Sequence, residues 1–289
     1  MVREVSIARR RIGPERCFVV GEIGINHNGS VDTAKELVDV AARCGVDAVK
    51  FQKRNVDVVY TPEELARPRE SPFGSTNGDL KRGLELGEAE YAAIDRHCRE
   101  RNMPWFASCW DAASVDFIER FDPPCHKIAS PCLTDDSLLR YVADTGRPMV
   151  MSTGMSTLEE IDHAVEVVKD APLVLLHCTS TYPARDAELN LDVIPALQKR
   201  YGVPVGYSGH EVGVTSSVLA VCLGAVMVER HITLDRAMWG SDQAASLGPR
   251  GLELLLLHIR KVPLMRGDGR KVVYESEQPF LRKLRRVRG

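Results

Sequence analysis

Val203-Pro-Val-Gly-Tyr207 and Ala225-Val-Met-Val228 are two short apolar runs, and the helical segment Val214 to Gly224 lies between them. This order predicts a βαβ unit whose strands are parallel and adjacent, so that their C-terminal ends lie at the same edge of the sheet. A histidine follows each run, His210 after the first and His231 after the second. Two imidazoles at neighbouring strand ends suit a divalent metal ion with open coordination positions, and the alternative is a pair of ordinary loop histidines.

The same alternation of apolar runs and helical segments extends over most of the chain. Eight strands are predicted, each followed by a helix, at residues 17–23, 46–51, 104–107, 125–129, 148–151, 173–177, 203–207 and 225–228. Strands this short and apolar are typical of a parallel sheet that is buried on both faces. The pattern predicts an α/β protein with a (β/α)8 TIM barrel. A doubly wound sheet is the alternative, but Gly21-Glu-Ile-Gly24 lacks the glycine spacing of its phosphate loop.

The predicted barrel covers residues 17–265. Residues 1–16 form an N-terminal, hairpin-like extension, and residues 266–289 form a short basic C-terminal tail. Residues 52–87 are predicted to be a long polar connection, and the last helix is predicted from about Pro249 to Arg260.

Composition indicates a cytoplasmic protein without nucleic-acid or membrane partners. The 289 residues carry a net charge of −2, and the eight cysteines contain no Cys-x-x-Cys motif. Scattered cysteines of this kind are typical of reduced thiols in the cytosol. The N-terminus has no signal-peptide pattern, and no apolar run approaches the roughly 20 residues of a membrane span.

Polar side chains at the strand ends are the candidate site residues, because TIM-barrel active sites lie at the C-terminal ends of the strands. Contact with water would explain most of them, but not Lys50 and Lys127, which end otherwise apolar strands. A lysine in that position must reach water or meet an anion. The candidates, in strand order, are Glu22, Asn26, His27 and Asn28; Lys50 and Gln52; Ser108, Trp110 and Asp111; Lys127 and Ser130; Ser152 and Thr153; His177, Thr179, Ser180 and Tyr182; Ser208 and His210; and Glu229, Arg230 and His231.

At these residues the sequence resembles the sialic acid synthase family, the phosphoenolpyruvate-dependent synthases of nonulosonic acids. The matching stretches follow the family's order and are Glu22-Ile-Gly-Ile-Asn-His-Asn-Gly29, Asp47-Ala-Val-Lys-Phe-Gln52, Lys127-Ile-Ala-Ser130, Met151-Ser-Thr-Gly-Met155, Leu176-His-Cys-Thr-Ser-Thr-Tyr-Pro183, Gly206-Tyr-Ser-Gly-His210, Glu229-Arg-His-Ile-Thr-Leu-Asp235 and Gly240-Ser-Asp-Gln-Ala-Ala-Ser-Leu247.

The resemblance implies a homodimeric enzyme that condenses phosphoenolpyruvate with an aldose or an amino sugar such as N-acetylmannosamine. It implies that His210 and His231 hold Mn2+ or Mg2+, and that Glu22 assists proton transfer or orients a water molecule on the metal. The residues that it assigns to phosphoenolpyruvate are Lys50, Ser108, Lys127, Ser130, Ser152, Ser180 and Ser208. Those that it assigns to the sugar are Gln52, Tyr182 and Asp242.

Three departures from the family's pattern bear on the acceptor. Pro131-Cys132 stands where many members have glycine and an acidic residue, and Gly209 stands where aspartate is frequent. The C-terminal antifreeze-like domain of typical members is not present in the sequence, so we expect an acceptor related to N-acetylmannosamine but different from it. A metal-assisted enzyme of another class, such as a hydrolase, and a non-catalytic binding barrel are the competing hypotheses. The histidine pair and the two lysines argue against the binding barrel.

Overall fold

The computed structural model of the protein describes residues 4–287. Its strands are β1 Val5–Ile7, β2 Arg10–Ile12, β3 Phe18–Gly24, β4 Ala48–Lys53, β5 Pro68–Ser71, β6 Gly74–Thr76, β7 Trp105–Cys109, β8 His126–Ile128, β9 Met149–Ser152, β10 Leu173–Cys178, β11 Val205–Gly209 and β12 Met227–His231. Eight of these strands close into a parallel barrel in the order β3, β4, β7, β8, β9, β10, β11 and β12, and β12 pairs with β3. The predicted (β/α)8 barrel is confirmed.

Helices surround the barrel and connect its strands. They are α1 Val31–Cys44, α2 Val56–Val59, α3 Pro62–Leu65, α4 Asn77–Gly83, α5 Glu88–Glu100, α6 Ala112–Glu119, α7 Asp136–Asp144, α8 Leu158–Val167, α9 Val193–Tyr201, α10 Thr215–Cys222, α11 Pro249–Arg266 and α12 Gln278–Leu284. The first barrel helix, α1, begins after the Ser30 cap and ends at Gly45, whose left-handed φ of 79° suits glycine. None of the helices within residues 4–287 combines the length and the hydrophobicity needed to cross a bilayer.

The interior of the barrel changes from apolar to polar along the strands. Side chains of a strand alternate between its two faces, so residues two apart point the same way. The lower interior positions form one buried apolar cluster, and the positions two residues further line the pocket described below. Examples are Val20 and Glu22, Ala48 and Lys50, Phe106 and Ser108, Cys125 and Lys127, Val150 and Ser152, Leu176 and Cys178, and Met227 and Glu229.

The N-terminal hairpin closes the lower end of the barrel. Strands β1 and β2 are antiparallel, and Val5, Ile7 and Ile12 belong to the same apolar cluster as the lower interior residues. The buried carboxylate of Asp47 ties the hairpin to the barrel, since it pairs with Arg10 and with Arg16 at 3.2 Å and accepts from the Val19 amide at 2.8 Å. The barrel therefore has a floor made of its own N-terminal residues.

Two regions differ from their predicted form. The predicted long polar connection contains three short helices and the β5–β6 hairpin, and Glu85 binds it to β4 by accepting from Lys53 Nζ at 3.3 Å. Helix α11 continues through Pro263 to Arg266, because its buried apolar stripe extends as far as Val262. The predicted tail includes the exposed helix α12.

The domain boundaries predicted at residues 16 and 265 stay predictions. Two residues of the tail, Arg288 and Gly289, and the first three residues of the N-terminal extension lie outside the described residues.

Candidate active site

A pocket of about 280 Å³ opens at the C-terminal ends of the barrel strands. Of the thirteen residues predicted to act in catalysis or binding, twelve line it: Glu22, Lys50, Gln52, Ser108, Lys127, Ser130, Ser152, Ser180, Tyr182, Ser208, His210 and His231. The thirteenth, Asp242, does not line the pocket, and its Oδ2 atom is 3.8 Å from His231 Nδ1. All eight barrel strands, or the loops that follow them, thus contribute to one cavity.

One end of the pocket holds a buried lysine between two carboxylates. Lys50 Nζ lies 2.8 Å from Glu22 Oε2 and 3.7 Å from Glu229 Oε1. Gln52 Nε2 donates to the other oxygen of Glu22 at 3.1 Å. Burial, opposed by Lys50 and reinforced by Glu229, raises the pKa of Glu22 to about 7. Glu22 is therefore poised to exchange a proton near neutral pH.

Glu229 is held in the ionised form. Burial opposes its charge, but the nearby Lys50 and Lys127 ammonium groups outweigh burial and lower its pKa. Its Oε1 atom also accepts from Ser208 Oγ at 3.1 Å. Two carboxyl groups that share one lysine thus have pKa values shifted in opposite directions, an arrangement that separates acid–base roles in many active sites.

The second lysine faces hydroxyl and carbonyl groups. Lys127 Nζ donates to Ser152 Oγ at 2.5 Å and to the Ile128 carbonyl at 2.9 Å. No ion pair within 4 Å involves Lys127 among residues 4–287. Burial lowers the pKa of its ammonium group. A buried cation in these surroundings would be stabilised by a bound anion.

The side chains of Ser130, Cys178 and Ser180 pack around Gly154. Ser130 Oγ accepts from the Gly154 amide at 3.1 Å. Cys178 Sγ lies 3.7 Å from both Ser130 Oγ and Ser180 Oγ. A Cβ atom at Gly154 would overlap Ser180 Oγ and lie 2.9 Å from Ser130 Oγ. A side chain at this position would therefore displace the pocket hydroxyls, which occupy the space of its Cβ atom.

His210 and Tyr182 interact at the mouth of the pocket. Nδ1 of His210 lies 2.9 Å from the Thr179 carbonyl oxygen, which can only accept a hydrogen bond. In the neutral ring this assigns the proton to Nδ1, and Nε2 accepts from the Tyr182 hydroxyl at 3.0 Å. A histidine whose Nδ1 donates to a carbonyl has its other nitrogen prepared for a metal ion.

His231 completes the pair. Its ring centroid lies 5.5 Å from that of His210, and its Nδ1 atom is buried without a hydrogen-bond partner in the described part of the chain. Burial lowers the pKa of His231 to about 4, so the ring is neutral at pH 7, the form that binds metals.

The pocket residues fit a metal ion that needs few protein ligands. Within residues 4–287, no group of three or more His, Cys, Asp or Glu side chains is arranged to hold a metal. His210 and His231 offer two imidazoles, and His231 has an unpartnered nitrogen. These residues suit a cation that takes its remaining ligands from water and substrate, as catalytic metal ions do.

Some residues at predicted strand ends do not reach the pocket. The His177 side chain points to the outer face of β10, where its Nε2 atom lies 2.6 Å from the Leu189 carbonyl oxygen. Asn26 donates to the Ile232 carbonyl and to Ser246, so it joins loops rather than binding a ligand. Glu229, a strand-end candidate without an assigned role, lines the pocket, and so does Cys178, which the sequence analysis did not name. Cys178 lies two residues after the buried interior residue Leu176, and this spacing could have identified it.

The family and the solved structures agree with this architecture. The model of the NeuB family matches residues 37–271. The chain belongs to the NeuB family. This NeuB-family protein is 38% identical over 277 residues to N-acetylneuraminate-9-phosphate synthase of Homo sapiens, an alignment that covers 94% of this chain and 77% of the relative. It is 33% identical over 294 residues to N,N'-diacetyllegionaminic acid synthase of Legionella pneumophila, covering 98% and 83% of the two chains.

The resemblance to the sialic acid synthase family is therefore confirmed, and the NeuB-family protein is an enzyme, a transferase that forms a carbon–carbon bond. Among solved structures, N-acetylneuraminic acid synthetase of Leptospira borgpetersenii, in complex with citrate, superposes with a TM-score of 0.85 at 29% identity and covers 99% of both chains. A truncated 3-deoxy-D-arabino-heptulosonate 7-phosphate synthase of Thermotoga maritima reaches a TM-score of 0.71 at 14% identity, covers 92% of this chain and 94% of its own, and shares the fold.

Proposed function

We propose that this enzyme condenses phosphoenolpyruvate with an aldose or an amino sugar, in a metal-dependent reaction, and releases a sialic acid-like 2-keto-3-deoxy sugar acid and inorganic phosphate. The observation that carries the proposal is the pairing, in one pocket, of two buried lysines with two histidines. The names of the relatives, synthases of N-acetylneuraminate 9-phosphate and of diacetyllegionaminic acid, support a sugar acid as the product.

The lysine end of the pocket suits phosphoenolpyruvate. The substrate carries a phosphate and a carboxylate, and Lys50 and Lys127 offer one ammonium group each. Ser130, Ser152 and Ser180 add hydroxyl donors around them. Hydrogen bonds from charged donors to such anions are stronger than neutral ones, and they hold the reacting carbon in a fixed position.

The histidine end suits the sugar and a metal ion. His210 and His231 would hold Mn2+ or Mg2+, which when bound would polarise the carbonyl group of the open-chain sugar. Tyr182 and Gln52 also line the cavity, and Asp242 Oδ2 lies 3.8 Å from His231 Nδ1. The loop after β8 places Pro131 in the pocket wall and buries Cys132, so it offers no carboxylate to the acceptor.

The protein's own groups can manage the protons of the reaction. As C3 of phosphoenolpyruvate bonds to C1 of the sugar, the C2=C3 π bond and the carbonyl π bond break, and the aldehyde oxygen takes a proton from a solvent water, whose charge is balanced by the proton released later. Water adds to C2 and gives one proton to Glu22, whose raised pKa of about 7 makes the carboxylate a proton acceptor near neutral pH. The bond between C2 and the phosphate oxygen then breaks, the second proton of that water leaves with the phosphate, and C2 becomes a ketone.

Phosphate release tests the proposal. The protein would be incubated with phosphoenolpyruvate, Mn2+ and a panel of mannosamine derivatives, pentoses, hexoses and their phosphates, with and without a chelator. Release that requires one sugar, stops with chelator and is lost in His210→Ala, but not in a His163→Ala control on exposed α8, supports the proposal. Failure to bind phosphoenolpyruvate overturns it. Binding of phosphoenolpyruvate without release points to an acceptor outside the panel.

A further inference from the structure

The pairing between the two histidine-bearing strands stops just before the histidines. The ladder between β11 and β12 pairs Tyr207 with Val228, Ser208 with Glu229 and Gly209 with Arg230, and it ends there. His210 therefore lies one residue beyond the ladder. Other interactions must hold its position relative to His231.

A buried ion pair continues the connection where the ladder ends. Glu211 and Arg230, the neighbours of the two histidines, have side chains that are 1% and 0% exposed, and Arg230 Nη1 lies 2.8 Å from Glu211 Oε1. Arg230 also donates to the Glu211 carbonyl at 2.6 Å and to the Gly213 carbonyl at 2.8 Å. The guanidinium group thus binds the backbone on the far side of His210.

Further contacts fix the carboxylate of this pair. Glu211 accepts from the Tyr207 hydroxyl at 2.7 Å and from Ser216. It packs so closely on β11 that a Cβ atom at Gly209 would lie 2.7 Å from Glu211 Oε2. The ion pair is therefore joined to β11 before His210, to the loop after His210, and to β12 next to His231.

We propose that the Glu211–Arg230 pair is a positioning device that sets the separation of His210 and His231 and thereby the affinity of the metal site. The inference rests on the proposed function, because it needs a metal ion at the two histidines. Neither side chain touches the pocket, so both act through the backbone of the residues next to them. Residues that orient metal ligands typically change metal affinity by about 10–100-fold when they are mutated.

A hydrophobic replacement separates positioning from stability. Replacing a buried ion pair by apolar residues of similar volume is often neutral for stability, whereas removal of one partner is strongly destabilising. The test variant is therefore Glu211→Leu/Arg230→Met. The matched control is Glu119→Leu/Arg147→Met, which removes a partly buried pair, 2.7 Å apart, that does not line the pocket.

Mn2+ affinity would be measured by the electron paramagnetic resonance of free Mn2+, alongside thermal unfolding and phosphoenolpyruvate binding. We expect the test variant to bind Mn2+ at least tenfold more weakly, with phosphoenolpyruvate binding retained, and the control to bind Mn2+ like the wild type. A folded test variant with wild-type Mn2+ affinity overturns the positioning role alone. A wild-type protein that binds no Mn2+ overturns the metal site of the proposed function and this inference with it.

A second variant decides the matter if the double variant does not fold. Tyr207→Phe removes only the hydroxyl group that binds Glu211. We expect Mn2+ affinity to fall about threefold or more with little change in the unfolding temperature. An unchanged affinity in this variant overturns the proposal.

Discussion

The ammonium group of Lys127 lies 2.5 Å from Oγ of Ser152 on the next strand, and both groups are buried in the pocket wall. Burial, together with the charge of Lys50, lowers the pKa of this lysine. A bound anion would supply the charge partner that the surrounding protein lacks within 4 Å.

Replacement of this lysine should therefore damage substrate binding. We expect Lys127→Met to raise the KM for phosphoenolpyruvate by about 100-fold, since loss of a buried charge contact costs roughly 2–5 kcal/mol. Steady-state phosphate release measures the change. The control is Lys199→Met on the exposed face of α9, and equal KM values in the two variants would contradict the assignment.

The raised pKa of Glu22 predicts a pH dependence. If the carboxylate accepts a proton from water, kcat/KM rises with pH and levels off above about 7, the pKa that burial and Glu229 produce. Below that pH the active fraction falls about tenfold per pH unit. Glu22→Gln should abolish this rise of kcat/KM with pH and lower kcat by roughly 10²–10⁴-fold. A Glu22→Gln enzyme with an unchanged pH profile would show that another group accepts the proton.

The packing around Gly154 predicts a defect from one added methyl group. In Gly154→Ala the new Cβ atom would displace Ser180 and press on Ser130. We expect the KM for phosphoenolpyruvate to rise at least tenfold, while thermal unfolding changes by only a few degrees. Gly146→Ala is not a suitable control because its φ is 72°, whereas Gly248→Ala meets no atom within 4 Å and has an ordinary φ. A normal KM in Gly154→Ala would contradict the crowding argument.

The cysteines predict a substrate-protection experiment. In Cys222→Ser protein, which lacks the exposed thiol, iodoacetamide should reach Cys178 through the pocket. Burial opposes ionisation of Cys178, but its hydrogen bonds with His210 and two serines outweigh it and lower its pKa. Phosphoenolpyruvate should slow this labelling, as followed by peptide mass spectrometry. Cys109 and Cys125, whose pKa values are raised by burial, should react only in urea. Labelling of Cys178 that phosphoenolpyruvate does not slow would argue against substrate in this cavity.

The hairpin under the barrel predicts a stability difference between two of its residues. Ile7 is fully buried against the lower interior cluster, whereas the Arg11 side chain is mostly exposed. Ile7→Ala should destabilise the protein by about 2–5 kcal/mol, and Arg11→Ala by less than about 1 kcal/mol. Urea unfolding followed by circular dichroism compares the two midpoints. Equal midpoints would mean that the hairpin contributes little to the barrel.

Apolar patterning was sufficient to predict the eight strands and their order, because strands buried on both faces are apolar along their length. The strands predicted at residues 203–207 and 225–228 end too early, because β11 and β12 continue to Gly209 and His231. Ser208 and Glu229 are polar, and the pattern treats polar residues as loop although they point into the barrel. The spacing of Thr157 and Glu160 also predicts a capping box, and the structure contains it at the start of α8, since this motif depends only on neighbours in sequence.

Long-range pairing was beyond the reach of local patterns. The structure of residues 54–87 depends on contacts such as that of Arg54 with Glu85, and the Glu211–Arg230 pair joins two strand ends. In both cases the sequence around one residue of the pair does not indicate which distant residue it contacts. The histidines and lysines were predictable because their polarity contrasts with apolar strands, whereas the roles assigned to them stay predictions until the experiments above are done.

The floor beneath the barrel also constrains the kinetics of the enzyme. Because Val5, Ile7 and Ile12 close the lower end of the barrel, reactants and products pass at the C-terminal ends of the strands. A molecule that lies beneath another one must enter first and depart last. If the two substrates stack in this way, turnover follows a compulsory sequence, and the product that leaves last competes with the substrate that arrives first. Initial-rate product inhibition would then distinguish the lower ligand from the upper one.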